Sequence, residues 1–414
     1  VTRVLVVGAG RVGQNLVTQL RNDNWSSIEI VGFLDDDPEK RHQTISGVPV
    51  LSPVDDAVEA AGVAFRELDG MSLAGRQNII ASIREVMFDN AEELARQAHS
   101  ETGLGRVEDK VIKNRLVTRK TSGTEVLTPQ AVTGDDGLTL TEYAPYGVIG
   151  TITPTTNPTS TIICNTIAML AAGNSIVFNV HPNARECSMA NVRLLHKAII
   201  RGGGPPNLVT AVAEPTIESA QELMRHEGVR LLAVTGGSGV VRQAMTSGKR
   251  AICAGPGNPP VVVDTTADLG HAARGIIAGA SFDNNIVCVD EKEVIAVENI
   301  IDELLHQMKQ NGAYVLTDGE FHRVEQVIFS ENNGPGRRAV VEKDLIGKNA
   351  SEILDAAGIS CFGDPPLLVA QVPNDHPLVW TEQMMPVLPV TPAPDVDQAI
   401  ALAKEVEHGY GHSA

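Results

Sequence analysis

Short apolar runs alternate with helical segments along most of this 414-residue chain. That order predicts parallel sheets with crossover helices, and hence an α/β fold. The first set of predicted strands lies between Thr139 and Gly257, at Gly147–Thr153, Ser175–Phe178, Asn207–Val212 and Leu231–Val234. The second set begins near Pro260 and comprises Val261–Val263, Val294–Val297, a helix around Ile300–Met308, and the strand Pro366–Val372. Because parallel sheets bind ligands at the carboxyl ends of their strands, the first set predicts a nucleotide site.

The net charge limits which molecules this chain is expected to bind. Lys and Arg total 33 against 51 Asp and Glu, which gives a formal net charge of −18. Such a chain repels phosphate backbones and anionic lipids, so we expect neither nucleic acid nor a membrane as partner. The longest weakly polar stretch, Ile162–Ala172, is shorter than the roughly 20 residues of a membrane span. No export signal precedes the first strand pattern, so the expected location is cytoplasmic. The five cysteines lack the short spacings of metal sites, so no metal site is predicted.

The N-terminal residues carry a dinucleotide-binding pattern. An apolar run, Arg3–Val7, leads into Gly8-Ala9-Gly10-Arg11-Val12-Gly13, and a helical pattern follows. A second run, Ile28–Leu34, ends in Asp35-Asp36-Asp37-Pro38, which places acidic groups about twenty residues past the glycines. From Asp55 the pattern turns helical without further strands. A nucleotide site and a βαβ fragment that binds nothing therefore both remain open.

From Asp55 to about Val117 the pattern is one helix after another. Ser72 is predicted to cap a long amphipathic helix whose apolar positions are Ile79, Ile80, Ile83 and Met87. We interpret the helices of this segment as packing elements.

Cys288 ends the sharpest local motif of the chain. A small-residue helix end runs into a polar loop and then a thiol, in Gly279-Ala280-Ser281-Phe282-Asp283-Asn284-Asn285-Ile286-Val287-Cys288. Cysteine is the best side-chain nucleophile near neutral pH, and a loop position leaves it reachable. A single cysteine is also commonly an inert small apolar residue, so the motif alone leaves both interpretations open.

Two further motifs follow predicted strands. After Gly147–Thr153 comes Pro154-Thr155-Thr156-Asn157-Pro158, where the Asn157 amide is placed either to stabilise an oxyanion or to cap the following helix. After Leu231–Val234 comes Thr235-Gly236-Gly237, a glycine turn before a helix. This turn suits a phosphate at the helix N-terminus, although ordinary turn geometry explains the glycines equally well.

In this order and spacing the three motifs resemble the aldehyde dehydrogenase superfamily. Further stretches resemble its CoA-acylating branch, the propionaldehyde and acetaldehyde dehydrogenases of diol and ethanolamine breakdown. The resemblance runs from about Ser52 to Ala414 and includes Glu101–Gly105, Thr153–Pro158, Leu170–Ser175, Val212–Thr216, Ala254–Pro260 and Glu382–Pro386. It implies an aldehyde-dehydrogenase-like fold, with a Rossmann-like NAD-binding domain over 52–258 and an α/β catalytic domain over 259–414. Residues 1–51 would be an extra βαβ fragment, in which Gly32–Pro38 is similar to a Rossmann-type domain of nucleotide-sugar-modifying enzymes.

The resemblance also implies the roles of individual residues. Cys288 would form a thiohemiacetal with the aldehyde and, after oxidation by the nicotinamide, a thioester. The side chain of Asn157 and the backbone N–H of Cys288 would hold the oxyanion. Glu382 would bind the nicotinamide ribose. The remaining cofactor contacts would come from Thr153, Pro154 and Thr155 beside the nicotinamide, Thr235, Gly236 and Gly237 under the pyrophosphate, and Asn179, His181 and Pro182 beside the adenosine.

One residue that differs from the hydrolytic members of the family predicts the acceptor of the acyl group. Hydrolytic members of the family carry a general-base glutamate ahead of Leu-Gly-Gly, where this chain has Cys253. A thiol is a poor base for activating water, so the expected reaction is short-chain aldehyde + NAD⁺ + CoA to acyl-CoA + NADH. A hydrolytic aldehyde dehydrogenase and a catalytically silent binding or assembly subunit are the alternatives. The family also implies a homo-oligomer and leaves open a bacterial microcompartment shell as a partner and location.

Overall fold

A computed structural model describes residues 2–7, 11–22, 28–34, 44–45, 48–51 and 53–411, and the side chains of 11–20 and 54–411. Gly8, Gly10 and Asp35–Asp37 of the dinucleotide pattern lie outside the described residues, so that nucleotide site stays a prediction.

The N-terminal segment forms a small sheet in the order β1-β2-β4-β3. Strands β1, β2 and β4 are parallel, and β3 pairs antiparallel with β4. The predicted βαβ unit is present, and the sequence Val48–Leu51 adds a third parallel strand that the sequence analysis does not assign. The elements are β1 (Thr2–Val7), α1 (Arg11–Asn22), β2 (Ile28–Leu34), β3 (Thr44–Ile45) and β4 (Val48–Leu51).

Four helices follow, as the helical pattern predicts: α2 (Pro53–Asp69), α3 (Leu73–Asp89), α4 (Ala91–Thr102) and α5 (Val107–Lys120). The predicted cap of α3 is confirmed, because the hydroxyl of Ser72 accepts a hydrogen bond from the N–H of Gly75 at 3.2 Å. Its predicted apolar positions, Ile79, Ile80, Ile83 and Met87, are buried in the largest core cluster.

The first large sheet is parallel, in the order β11-β10-β7-β8-β9. The five residues of β7 and of β8 are all buried, as expected for strands covered by helices on both faces. The predicted strands of this region are confirmed, with small shifts of their ends. The elements are β7 (Val148–Ile152), α6 (Pro158–Ala171), β8 (Ser175–Asn179), α7 (Arg185–Arg201), β9 (Val209–Ala211), α8 (Ile217–Arg225), β10 (Val229–Thr235), α9 (Ser238–Met245) and β11 (Ala251–Ala254).

The second large sheet is also parallel, in the order β12-β13-β18-β17-β14. Its elements are β12 (Pro260–Val263), α10 (Leu269–Ala280), β13 (Glu293–Val297), α11 (Ile301–Gln310), β14 (Tyr314–Val315), α12 (Asp318–Ile328), α13 (Ala350–Ala356), β17 (Leu368–Gln371), β18 (Val387–Ala393) and α14 (Val396–Val406). Two antiparallel pairs lie outside these sheets: β5 (Gln130–Gly134) with β6 (Gly137–Thr141), and β15 (Phe329–Glu331) with β16 (Val340–Val341).

The connection between the two sheets positions the site. Only residues 255–259 separate the carboxyl end of β11 from the amino end of β12. A chain of that length reaches at most about 20 Å, so the two strand ends lie close together. Strand β13 is parallel to β12, so the amino ends of these two strands lie side by side. The loop that contains Cys288 precedes β13, and it therefore lies on the same side as the carboxyl ends of the first sheet. Among the residues that the structure describes, no helix combines the length and the apolar character needed to cross a bilayer.

Candidate active site

The predicted cofactor residues follow three neighbouring strands of the first sheet. Thr153 follows β7, Asn179 ends β8 and Thr235 ends β10, and these strands are adjacent and parallel. The N–H of Thr153 donates to the carbonyl of Asn179 at 3.4 Å, which joins two of the strand ends directly. The structure therefore brings these predicted residues to one edge of the sheet, where parallel sheets bind nucleotides.

This edge has room and polar atoms for a dinucleotide. A Cβ added at Gly237 would meet no atom within 4 Å, so the backbone before α9 is open to a phosphate at the helix N-terminus. The hydroxyl of Thr153 is buried and has no hydrogen-bond partner among the described residues. Pro154, Thr155 and Gly236 are half-buried beside it. The residues present fit a bound nicotinamide dinucleotide.

Asn179 and His181 use their side chains within the protein. The Asn179 side-chain oxygen accepts from the hydroxyl of Ser219 at 2.6 Å, and its amide donates to the carbonyl of Thr216 at 3.4 Å. The Nδ1 atom of His181 accepts from the N–H of Asn183 at 3.1 Å, and burial lowers the pKa of its imidazole. Pro182 is exposed at the same strand end. These residues can border an adenosine, and the Asn179 amide, like that of Asn157, keeps one further N–H.

Asn157 is the first candidate for the oxyanion site. It occupies the N-cap position of α6, but its side chain makes no cap hydrogen bond, so the capping interpretation is wrong. Its Oδ1 atom accepts from Nζ of Lys113 at 2.5 Å, and Nδ2 donates to the hydroxyl of Thr156 at 3.1 Å. A carboxamide nitrogen carries two hydrogens, so one N–H of Asn157 is left for another acceptor.

The backbone ahead of Cys288 is strained. Asp283, Asn284 and Asn285 have φ angles of 47°, 56° and 62°, in the left-handed region that residues other than glycine rarely occupy. All three are fully buried. Strain of this kind persists only where the surroundings hold the backbone in place, and it commonly marks functional sites.

Side-chain hydrogen bonds hold each of the three strained residues. Asp283 accepts from the backbone N–H of Arg106 at 2.6 Å, from Nζ of Lys110 at 3.0 Å and from Nζ of Lys113. The amide of Asn284 donates to the carbonyl of Gly347 at 2.9 Å and to Oδ1 of Asn349 at 2.8 Å. The amide of Asn285 donates to the carbonyls of Ala280 and Glu291, at 2.8 and 2.9 Å. The polar loop of the motif is therefore a rigid structure.

Lys292 holds the residues next to the thiol. It is fully buried, and its ammonium donates to the carbonyl of Asn285 at 2.6 Å, to Oδ1 of Asn285 at 2.7 Å and to the carbonyl of Val287 at 3.1 Å. Three donors and three acceptors match, which is what keeps a buried cation tolerable. Lys292 thus fixes the peptide group that precedes Cys288.

The thiol of Cys288 is half-buried and resists ionisation. Burial raises its pKa above the ordinary value, and the charge of Glu382 raises it further. The charge of Lys292 and the backbone N–H of Cys288 itself act in the opposite direction. The thiol form therefore predominates at neutral pH in the structure as it stands.

Two carboxyl groups act on this thiol, and each is held by a backbone N–H. Glu382, which is half-buried, accepts from Gly257 at 3.0 Å, and Asp290 accepts from Val287 at 3.1 Å. Burial raises the pKa of Asp290 to about 7. At the position of the hydrolytic base stands Cys253, a half-buried thiol in β11 whose pKa is raised by burial. At the position of the hydrolytic base the chain therefore has a thiol, which is a poor base for activating water.

The sequence analysis did not single out Lys110, Lys113, Asp283 or Lys292, whose hydrogen bonds hold the loop before Cys288 in place. On α5 the structure buries Lys110 and Lys113, whereas Ile112 and Leu116 are 54% and 53% exposed. This helix packs against α3, α4 and α6, as the interpretation of the segment as packing elements expects, but its buried face is polar. The available signal was the pair of lysines three residues apart on one helical face. Within the described part of the chain, no three His, Cys, Asp or Glu residues are grouped to hold a metal ion.

Comparisons with known proteins agree with this arrangement. The sequence matches the aldehyde dehydrogenase family over residues 41–414, and a CoA-binding domain over residues 1–63. The acetylating acetaldehyde dehydrogenase EutE of Salmonella typhimurium is 46% identical over 379 residues, which cover 91% of this chain and 80% of the relative.

Two solved structures are similar along most of their length. The propionaldehyde dehydrogenase of Rhodopseudomonas palustris, with bound CoA and an acylated cysteine, has a TM-score of 0.82 at 46% identity and covers 86% of this chain and 80% of its own. The propionaldehyde dehydrogenase from the fucose-utilisation bacterial microcompartment of Clostridium phytofermentans has a TM-score of 0.83 at 43% identity, covering 87% and 82%.

Proposed function

Because this chain belongs to the aldehyde dehydrogenase family, we propose that it oxidises a short-chain aldehyde at Cys288 and passes the acyl group to CoA. It is a CoA-acylating oxidoreductase that uses a nicotinamide dinucleotide, like the acetylating and propanoylating enzymes it matches. The single observation that carries the role of Cys288 is its place at the end of a loop held rigid by Asp283, Asn285 and Lys292.

The reaction begins at the sulfur of Cys288. The thiol first loses its proton to solvent; the thiolate then attacks the aldehyde carbonyl carbon, a C–S bond forms, and the carbonyl oxygen becomes an anion. The remaining N–H of the Asn157 amide and the backbone N–H of Cys288 are the donors assigned to that oxygen. A donor of this kind typically stabilises the transition state by about 3–4 kcal/mol.

Oxidation turns the thiohemiacetal on Cys288 into a thioester. The bound nicotinamide dinucleotide supplies the two-electron acceptor for this change. Thr235, Gly236 and Gly237 would hold its pyrophosphate at the start of α9, and Thr153, Pro154 and Thr155 would lie beside the nicotinamide. Glu382 would bind the ribose, and its half-buried carboxylate already lies close enough to act on the Cys288 thiol.

The acyl group then leaves to CoA. The CoA thiolate attacks the thioester carbon, the bond to Cys288 breaks, and the Cys288 thiolate is regenerated. Transfer to water needs a general base, and the chain has a thiol at Cys253 where that base would stand. A thiol is a poor base for activating water, which supports transfer to CoA over hydrolysis.

The test is NADH formation from propanal by the purified protein with and without CoA. We expect turnover that requires CoA and yields propanoyl-CoA. Equal rates in the two cases, with propanoate as product, would establish the hydrolytic alternative. Cys288→Ser should abolish turnover while Cys361→Ser, at another half-buried cysteine, retains it. Absence of turnover in the wild-type protein would favour the silent assembly subunit.

The domain boundaries and the assembly are also proposals. We assign residues 52–258 to the NAD-binding domain, since Val54 and Val58 of α2 share a core cluster with Val148 of the first sheet. Residues 259–414 form the catalytic domain around the second sheet. We infer a homo-oligomer, because the hairpin of β5 and β6 is exposed along its whole length and isolated hairpins are marginally stable. Light scattering measures that mass, and a monomer would contradict the inference.

A location inside a bacterial microcompartment is the finer proposal. It is supported by the relative from the fucose-utilisation microcompartment of Clostridium phytofermentans. Co-purification of the protein with shell fragments from its own cells would support it, and exclusive recovery in the soluble fraction would contradict it.

A further inference from the structure

Lys113 contacts both halves of the candidate site. Its ammonium donates to Oδ1 of Asn157 at 2.5 Å and to the carboxylate of Asp283. Asn157 follows β7 in the first sheet, whereas Asp283 lies in the strained loop that ends at Cys288. Lys113 itself is buried, with a side chain only 9% exposed. One side chain thus connects the oxyanion donor with the loop of the nucleophile.

The chemistry of an ammonium group determines how the Asn157 amide is oriented. Lysine has three donors and no acceptor, so the amide must turn its oxygen toward Lys113. The nitrogen of Asn157 then points the other way, where one hydrogen reaches the hydroxyl of Thr156 and the second is available. A flipped amide would present an oxygen lone pair to the oxyanion, which is repulsive.

We propose that Lys113 is a positioning residue that fixes the orientation of the Asn157 carboxamide and ties it to the Cys288 loop. The inference rests on the proposed function, because it concerns the donor assigned to the oxyanion. Lys113 acts through Asn157 and touches neither the aldehyde nor the acyl group.

Lys110 provides a matched comparison on the same helix. It is three residues away on α5, is equally buried, and donates to the same oxygen of Asp283 at 3.0 Å. No hydrogen bond joins it to Asn157 in the described structure. Removal of either lysine therefore leaves Asp283 with one cation and with the N–H of Arg106. Only removal of Lys113 frees the amide.

The experiment compares Lys113→Met and Lys110→Met in two reactions of Cys288. Acylation by p-nitrophenyl acetate forms an oxyanion, whereas alkylation by iodoacetamide does not. We expect Lys113→Met to slow acylation by about 10–100-fold and Lys110→Met by less than about threefold. Alkylation should change by less than about threefold in both variants, since it reports only access and ionisation of the thiol.

The Asn157→Ala background tests whether Lys113 acts through Asn157. In that background Lys113→Met should cause no further loss of acylation, because the group that it positions is gone. Equal losses in Lys113→Met and Lys110→Met, or a full further loss in the Asn157→Ala background, would overturn the proposal. If Lys113→Met does not fold, Lys113→Arg replaces it. Arginine also lacks an acceptor, so we expect acylation between that of the wild type and Asn157→Ala.

The ester reaction separates this proposal from the proposed function. It needs no aldehyde, nicotinamide or CoA. If the ester acylates the wild-type protein but no CoA-dependent oxidation occurs, the proposed function is contradicted. The two lysine variants can still be compared by their rates of acylation. A protein that shows CoA-dependent oxidation with no difference between the two lysine variants would contradict the Lys113 proposal alone.

Discussion

At the scale of single residues, the thiol of Cys288 is governed by opposing charges. Burial and Glu382 disfavour the thiolate, while Lys292 and the local backbone N–H favour it. Lys292 is fully buried, and its ammonium also donates to the carbonyl of Val287, the residue before Cys288. The reactivity of Cys288 should therefore respond to removal of a nearby negative charge.

Glu382→Gln should speed alkylation of Cys288 at pH 7. Removal of the carboxylate charge lowers the pKa of the thiol, so a larger fraction is thiolate at neutral pH. We expect a rate increase of about two- to tenfold at pH 7, which becomes smaller as the pH rises and more of the thiol is ionised in both proteins. Iodoacetamide labelling across pH 6–10 in the absence of cofactor measures it. Glu331→Gln, at an exposed residue of β15, is the control, and an unchanged profile for Glu382→Gln would contradict the account.

At the scale of elements, the loop before Cys288 needs a close neighbour without a side chain. Gly105 lies in the left-handed region at φ 68°, and a Cβ there would lie 2.6 Å from Cγ of Asp283. Its N–H donates to the carbonyl of Gly347 at 2.8 Å, which also accepts from Asn284. The loop between α4 and α5 and the strained loop thus fit together only with glycine at this position.

Gly105→Ala should be more destabilising than Gly358→Ala. Both glycines have nearly the same φ, 68° and 66°, so both variants carry the same backbone strain of about 1–2 kcal/mol. Gly358 has open space where a Cβ would be, whereas Gly105 has Asp283. We expect an additional loss of about 2 kcal/mol or more in the free energy of unfolding for Gly105→Ala. Urea denaturation measures both, and equal losses would show that the Asp283 contact is not tight.

Asp290→Asn should change how stability depends on pH. The carboxyl of Asp290 has a pKa of about 7 in the folded protein against 3.8 ordinarily, so the folded state binds its proton more tightly. Its contribution to stability is full below pH 3.8 and is lost as the pH rises toward 7. Asparagine keeps the acceptor for Val287 and does not titrate. Between pH 5 and 8 the variant should gain on the order of 1–3 kcal/mol relative to the wild type, by urea unfolding. A constant difference would contradict the raised pKa.

The sequence predicted the motifs of this site better than the contacts between distant residues that hold them in place. Cys288, Asn157 and the glycine turn at Gly236 stand in local motifs, and each motif lies on a strand end that its apolar run already indicates. The residues that hold the site in place were missed because they depart from the usual pattern of a helix, in which apolar residues are buried and charged residues are exposed. On α5 apolar Ile112 and Leu116 face outward, while Lys113 is buried against the distant Asp283. Burial of such a charged residue can be predicted only when the position of the loop residue that it pairs with is known.

At the scale of the whole molecule, two parallel sheets and a short connection create the site. The first sheet offers an open backbone at Gly237 and the buried hydroxyl of Thr153, unpaired within the described part of the chain, and residues 255–259 bring the second sheet to that edge. The loop before β13 then supplies the thiol. The order of strands along the chain was readable from sequence, whereas the order within each sheet, with β7 between β10 and β8, depends on packing that no local pattern encodes.

The central claim is that an acyl group on Cys288 waits for CoA. The most direct measurement is mass spectrometry of the protein after propanal and NAD⁺ are added without CoA. We expect a propanoyl adduct on the peptide that contains Cys288, stable until CoA is added and then released as propanoyl-CoA. Release of propanoate at the same rate without CoA, or an adduct on another cysteine, would contradict it.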